Sequence, residues 1–278
     1  MRFIVARTYE YENIIMSAIY SSNKVKVKTV FISDVHLGFP GCSANFLLDF
    51  LRNVECDKIY LVGDIIDLLY MRKKFHWPQE HNDVIRTLLG KAKNNTEVIY
   101  IPGNHDELFR SYNDAVFGNI TIKNEVIHTT ADGKRLLILH GDQFDSVVKN
   151  SRLMVILGSN LYNGLLNTNR FVNYIRYKLG LPYWSLAATL KHKVKGAVNY
   201  ISNFETAISQ MAKQKKVDGM ICGHIHRPEI RTIGGVLYCN CGDWVESCSA
   251  LIENQDGSLE ILHWTEEFES LKRIPVAA

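Results

Sequence analysis

The alternation of apolar and polar positions divides the chain into short elements. VKTVFIS, in the 25–33 region, alternates and then turns apolar, which predicts a strand. SANFLLDFLRNV follows with helical spacing that puts Phe46, Leu47, Phe50 and Leu51 on one face. DKIYLVGD (57–64) predicts a second strand, HNDVIRTLLGKAK (81–93) a second helix and TEVIYIPGNHD (96–106) a third strand. This rhythm points to an α/β core. Shorter strand-like segments follow: NITIKNEVIHTT, RLLILHGD, VDGMICGHIH, EIRTIGGVLYCN and SCSALIENQDGSLEILHW, with DGK, IGG and DG as hairpin turns. The second half is therefore strand-rich and partly antiparallel. The expected fold class is α/β, a four-layer α/β/β/α sandwich of two mixed sheets with helices outside.

One region breaks the pattern. SRLMVILGSNLYNGLL, NRFVNYIRYKLG and LKHKVKGAVNYISNFETAISQMAK carry helical periodicity between two strands. They predict a helical insertion, a lid over the core, assigned to 146–214. Between 146 and 204 this stretch has no Asp or Glu, yet it carries Lys149, Arg152, Arg170, Arg176, Lys178, Lys191, Lys193 and Lys195. The domain itself is assigned to 28–270, with 1–27 an N-terminal extension expected to be partly disordered and 271–278 a tail.

Bulk composition changes this picture little. The 278 residues are 46% hydrophobic and 22% charged, ordinary globular values with ample core. A net charge of +3 does not by itself argue for nucleic acid. Six cysteines in a chain of this length do not make a disulfide framework, and they are read as reduced thiols in the cytosol. Cys239 and Cys241 form a lone CxC, a weak metal signal. The N-terminus is interrupted by Glu10 and Glu12 and does not read as a signal peptide. No run approaches the ~18 apolar residues of a membrane-spanning helix.

The chemistry lies where apolar runs end. Five such runs lead into polar clusters: FISDVH (Asp34, His36), LVGD (Asp64), IPGNHD (Asn104, His105, Asp106), LILHGD (His140) and MICGHIH (His224, His226). In an α/β sheet the carboxyl ends of the strands form a common rim where ligands bind. Oxygen and nitrogen donors of this kind suit Mn²⁺, Fe²⁺ or Zn²⁺, and the lack of thiolates disfavours a closed structural zinc site. Taken singly, a DxH reads equally as two loop residues, and GD as a turn or helix cap. Taken together, in order and at strand ends, the five favour a metal centre. Asp64 has two oxygens, enough to bridge two cations ~3.5–4 Å apart.

D-x-H, G-D, G-N-H-D, H-G-D and G-H-x-H in this order resemble the calcineurin-like metallophosphoesterase superfamily, from about Thr29 to His226. The resemblance implies two divalent ions, Mn²⁺ first, with Fe²⁺ or Zn²⁺ as alternatives. Asp34, His36, Asp64 and His226 would hold one ion; Asp64, Asn104, His140 and His224 the other. It also implies that His105 acts beside the phosphate and that Asp106 orients His105. A helix N-cap for ELFR is an equal reading of Asp106.

A narrower resemblance is to the UDP-2,3-diacylglucosamine pyrophosphatases of lipid A synthesis, carried by SDVHLG, YLVGDIID, HGDQFD, the basic insertion, CGHIHRPEI and YCNCGDWVES. The best-known members read GNRD where this chain reads GNHD, so it looks like a sub-branch. The implied reaction cleaves the pyrophosphate of a UDP-linked acylated sugar to UMP and a lipid 1-phosphate. The alternative is a phosphodiesterase or phosphatase acting on a soluble nucleotide or other phosphoester. A nucleotide-linked lipid as partner implies a cytoplasmic enzyme, peripheral on the inner face of the inner membrane and meeting an anionic surface. A nuclease lacks the strongly basic domain it would need, and a non-catalytic scaffold is expected to have lost ligands that are all present here.

The insertion offers Leu153, Val155, Ile156, Leu157, Leu161 and Leu165 for an acyl groove, and Arg152, Lys191, His192, Lys193 and Lys195 for phosphates or headgroups. The plainer reading is a packing stripe and a solvated face. Arg227 is a further candidate for substrate contact, against surface packing. Asp67 is a candidate support for metal ligands. Asp243, Trp244 and Glu246 read either as support for the site or as a turn with a packing Trp. Asp142 and Asp145 read as caps of the first insertion helix. His76, His81 and His128 stand alone, as structural histidines usually do.

Overall fold

The computed structural model describes residues 24–146 and 206–265, with isolated positions between 173 and 179. The assignments at 1–23, within 147–205 and at 266–278 lie outside the described residues. The strands are β1 (Val25–Lys26), β2 (Thr29–Ile32), β3 (Val54–Glu55), β4 (Lys58–Val62), β5 (Glu97–Ile101), β6 (Val116–Phe117) and β7 (Ile120–Ile122), then β8 (Val126–Thr129), β9 (Arg135–Ile138), β10 (Gly219–Cys222), β11 (Glu229–Ile233), β12 (Val236–Asn240), β13 (Ser249–Glu253) and β14 (Leu259–His263). The helices are α1 (Ala44–Asn53), α2 (Leu68–Met71) and α3 (Gln79–Lys93). A further helix covers 206–215, all but its last residue within the range assigned to the insertion.

β14–β13–β2–β4–β5–β7–β6 form a seven-stranded sheet and β11–β12–β10–β9–β8 a five-stranded one. β2, β4, β5 and β7 run parallel, while β13 pairs antiparallel with β2. In the second sheet β9, β10 and β12 are parallel, flanked by antiparallel β8 and β11. The IGG step makes the β11–β12 hairpin, with Gly234 and Gly235 both at positive φ, as a tight two-residue turn requires.

Alternation of side chains sets the layers. Phe31, Tyr60, Val62, Ile99 and Ile101 of the first sheet face Leu136, Ile138, Ile221 and Cys239 of the second. Their neighbours Val30, Ile32, Ile59, Leu61 and Val98 point the other way, against Leu47, Phe50 and Leu51 of α1 and Val84 and Leu88 of α3. On the far side, Leu137, Met220 and Tyr238 pack against Ile208 and Ala212 of the helix over 206–215. The order helix, sheet, sheet, helix is the sandwich expected from the sequence. Burying each such aliphatic side chain contributes about 1.5–3 kcal/mol.

One polar bridge joins the sheets inside this core. Glu253 of β13, fully buried, accepts from Thr29 Oγ1 at 2.6 Å and from the Ala131 amide at 2.7 Å, and lies 2.9 Å from His128 Nε2. The other ring nitrogen of His128 is 3.2 Å from the Tyr60 hydroxyl. A carboxylate there is tolerable because its oxygens are all engaged. Burial works to raise its pKa, but these hydrogen bonds outweigh that and hold it below the ordinary glutamate range.

Candidate metal centre

All five polar clusters sit in loops that leave the carboxyl ends of parallel strands: β2, β4, β5, β9 and β10. The first two loops continue the parallel pairing beyond the sheet. Asp34 N donates to Gly63 O at 3.0 Å and His36 N to Asp64 O at 2.9 Å. Asp34, His36, Asp64, His224 and His226 all adopt positive φ, between 52° and 69°. Such backbone is costly for residues with a Cβ and collects where a site needs its side chains turned in one direction.

Each central carboxylate has one oxygen tied to backbone and one left for the site. Asp34 Oδ2 accepts from His224 N at 2.9 Å, and Asp34 Oδ1 lies 3.1 Å from His226 Nε2. Asp64 Oδ1 accepts from His105 N at 2.8 Å. Its other oxygen faces three imidazoles: His140 Nε2 at 3.3 Å, and His36 Nε2 and His105 Nε2 each at 4.0 Å. This close approach needs glycine nearby. A Cβ on Gly103 would lie 2.3 Å from Asp64 Oδ1, and one on Gly223 would lie 2.2 Å from Asp34 Oδ2.

The far nitrogens of three imidazoles are held from behind. His140 Nδ1 is 2.9 Å from the Val62 carbonyl oxygen. His36 Nδ1 lies 3.2 Å from Asp67 Oδ2, and His105 Nδ1 lies 2.8 Å from Asp67 Oδ1. Fixing Nδ1 in this way leaves each Nε2 turned towards Asp64. His224 Nε2 pairs with Asp145 Oδ1 at 2.9 Å.

Three overlapping sets of donors result, each with its ligand atoms within 4.8 Å of one another: Asp34–His36–His226, His36–Asp64–His105 and Asp64–His140–His224. Asp34 Oδ1, His36 Nε2, Asn104 Oδ1, His140 Nε2 and His226 Nδ1 are buried without hydrogen-bond partners. Buried polar atoms left so are costly unless a cation takes them up. The donor chemistry, carboxylate, amide oxygen and imidazole, fits divalent ions of the Mn, Fe and Zn series. Electrostatics agree in direction. Burial pushes the Asp34 carboxyl up, yet His226 and His140 hold it at about 2. Burial disfavours charge on His36 and His140, yet Asp67 and Asp64 lift His36 to about 9, and Asp64 lifts His140 to about 10. Clustered charge of this kind marks a functional site.

The structure corrects the expectations for Asp106. Its carboxylate neither orients His105 nor caps the 3₁₀ helix Glu107–Tyr112. It accepts from Gly103 N at 2.6 Å and Ile65 N at 2.8 Å, and from the Tyr100 hydroxyl. Fully buried, it clamps the Asp64 loop onto the Asn104 loop, and burial together with the charge of Asp64 raises its pKa. The orienting carboxylate is Asp67, which also caps α2 through Tyr70 N at 2.7 Å. Tyr100 and Asn240 were not read from sequence. Asn240 Nδ2 donates to Gly223 O at 2.6 Å and so supports the GHIH loop. Neither residue carries a local signal, since each is one polar group inside a strand pattern.

Asp142 pairs with Arg110 at 2.6 Å and Asp145 with His224; the helix they are expected to cap lies outside the described residues. Asp243 caps the turn at 245–247, and Trp244 packs on Phe50 while its amide donates to Asp34 O at 3.0 Å. His81 and His128 are structural; Gly38 N donates to His81 Nδ1 at 2.9 Å. Arg227 pairs with Glu229 at 3.4 Å. Arg152, Lys191, His192, Lys193 and Lys195 lie outside the described residues, as do the apolar residues proposed for an acyl groove.

A two-sheet sandwich with clustered Asp, His and Asn at the strand ends defines a metal-dependent phosphoester hydrolase. Residues 27–228 match the calcineurin-like phosphoesterase family, and the chain belongs to it. Among curated relatives, the UDP-2,3-diacylglucosamine hydrolase of Psychromonas ingrahamii is 28% identical over 72% of this chain and 81% of its own length. That of Shewanella pealeana is 25% identical over 83% of this chain and 96% of its own. Among solved structures, a hypothetical protein of Pyrococcus horikoshii OT3 matches with TM-score 0.45 and 10% identity over 91% of this chain and 95% of that one. No helix among the described residues is long and apolar enough to cross a membrane.

Proposed function

We propose that this chain is a two-metal hydrolase that cleaves the pyrophosphate of a UDP-linked diacylated sugar, giving UMP and a lipid 1-phosphate. The observation that carries the two-ion reading is the place of Asp64 between donor sets that share it. The substrate class is supported by the names of the curated relatives, which cover most of the chain. In this reading Asp34, His36, Asp64 and His226 hold one ion, and Asp64, Asn104, His140 and His224 hold the other, Mn²⁺ being the first choice for such donors. Bound divalent ions supply charge neutralisation for phosphate oxygens and acidify a water.

The chain's own residues do the rest. Asp67 keeps the His105 ring with Nδ1 held and Nε2 turned to the centre. His105, part-exposed at the rim, holds a proton at Nε2 and gives it to the leaving phosphate oxygen. Water breaks one P–O–P bond, and each phosphorus leaves as a phosphomonoester. A lipid substrate places the protein at the cytoplasmic face of a membrane, with the basic stretch 146–204 contributing attraction to anionic headgroups.

The test is incubation of Mn²⁺-loaded protein with detergent-dispersed UDP-2,3-diacylglucosamine, following UMP release. UMP formed at rates well above those with soluble nucleotide diesters is expected. Cleavage of a chromogenic phosphodiester with no UMP from the lipid would return the reading to a soluble phosphoester.

A further inference from the structure

α2 ends at Met71, and α3 does not begin until Gln79. The loop between them reads Arg72-Lys73-Lys74-Phe75-His76-Trp77-Pro78. Phe75 is 78% exposed, more than any other large hydrophobic residue described. Leu69, on the preceding turn, is 37% exposed. Arg72, Lys73 and Lys74 are exposed and form no ion pair among the described residues. No acidic residue occurs between Asp67 and Glu80.

The backbone that presents Phe75 is anchored on both sides. The amides of Lys73 and Lys74 donate to Tyr70 O at 2.9 and 3.0 Å. The Tyr70 ring meets Phe39 edge-on at 5.2 Å, and Trp77 packs against the core and edge-on to His81 at 5.7 Å. These contacts fix the chain on either side of Phe75, whose ring stands exposed. One helical turn, α2, connects the loop to Asp67, the carboxylate behind His36 and His105.

A second exposed apolar group among the described residues, Leu108, Tyr112, Val116 and Phe117, differs in charge. It lies with exposed Glu107, and with Asp114, which is already paired with Lys123. An aromatic tip beside three cations that have no ion pair among the described residues is instead complementary to an anionic lipid surface, where a ring enters the headgroup boundary and lysines meet phosphates.

We infer that the loop 72–77 is a membrane-docking tip. Phe75 seats in the interface of an anionic bilayer and Arg72, Lys73 and Lys74 lie against its headgroups, turning the metal-centre rim towards the membrane. The inference rests on the lipid-substrate reading for its purpose, but not for its test.

The test is co-sedimentation of the full chain with vesicles of phosphatidylcholine alone and of equal parts phosphatidylcholine and phosphatidylglycerol. The wild-type chain is expected to favour the anionic vesicles. Phe75→Ser should weaken that partition roughly tenfold to a hundredfold, as for a buried aromatic side chain. A Lys73→Gln/Lys74→Gln variant should weaken it roughly fivefold per charge, a difference that shrinks as salt is added. Hydrolysis of bis(p-nitrophenyl) phosphate should stay at wild-type level in both variants, since neither touches the metal centre. Equal partition of wild type and variants, or no partition of the wild type, overturns the tip. UMP release from UDP-2,3-diacylglucosamine, measured in parallel, separates the two readings. A wild type that docks through the tip but releases no UMP keeps the tip and removes the substrate. One that releases UMP while its loop variants still dock keeps the substrate and removes the tip.

Discussion

Asp67 Oδ1 lies 2.8 Å from His105 Nδ1, although 38 residues separate them in the chain. The other oxygen of the same carboxylate lies 3.2 Å from His36 Nδ1. One side chain thus sets the orientation of two imidazoles whose Nε2 atoms each lie 4.0 Å from Asp64 Oδ2. Asp67→Asn replaces one acceptor with a donor and forces one ring into the wrong tautomer. Metal affinity or turnover should fall by about 10–100-fold, the usual effect of losing a partner behind a ligand. Titration with Mn²⁺ against phosphodiesterase activity checks this; an unchanged curve sinks the orienting role.

Asp64 and His105 should respond differently to removal. Asp64→Ala is expected to abolish activity and to release at least one ion, because both donor sets include or adjoin its carboxylate. His105→Ala should retain the ions and lose about 10²–10⁴ in kcat, the range for general acid catalysis. Elemental analysis of both purified variants decides. Two ions retained by Asp64→Ala would defeat the bridging assignment. Metal loss from His105→Ala would move His105, which also stands with His36 and Asp64, into the ligand set.

Asp106 is expected to matter for stability before chemistry. Asp106→Ala leaves the Gly103 and Ile65 amides and the Tyr100 hydroxyl without their acceptor. At about 1–3 kcal/mol for each stranded group, the loss should exceed about 3 kcal/mol, or roughly 10 °C in Tm for a chain of this size. Thermal unfolding measures it. Wild-type Tm with kcat lost would instead place Asp106 at the reacting atoms.

His81 offers a pH test away from the metal centre. Burial, and then the charge of His76, push its pKa from 6.5 down to about 4, so the folded chain keeps it neutral to accept from Gly38 N. Between these two values the unfolded chain binds a proton that the folded chain does not. Stability from this group is therefore complete above pH 6.5 and is lost as pH falls towards 4, with no further change below. Denaturant unfolding of wild type and His81→Gln across this window should show a shallower pH slope for the variant. Parallel curves would mean that His81 titrates alike in both states.

Much of this was legible in the residues themselves. Apolar periodicity marked α1, α3 and the strands β2, β4 and β5, because one buried face leaves a local imprint of period two or about 3.6. Polar clusters after β2, β4, β5, β9 and β10 marked Asp34, His36, Asp64, Asn104, His140, His224 and His226 as candidate ligands, because a rim site must take its side chains from loops that follow strands. Other features only the tertiary structure decided. The segment NITIKNEVIHTT reads as one strand-like run, yet β7 joins the first sheet and β8 the second. β13 returns to pair with β2 across more than two hundred residues, with Leu251 opposite Phe31. Asp67 supports His36 as expected and also takes the place beside His105 expected of Asp106, since which buried carboxylate meets which imidazole depends on how two loops pack, and packing between distant loops leaves no period in the chain.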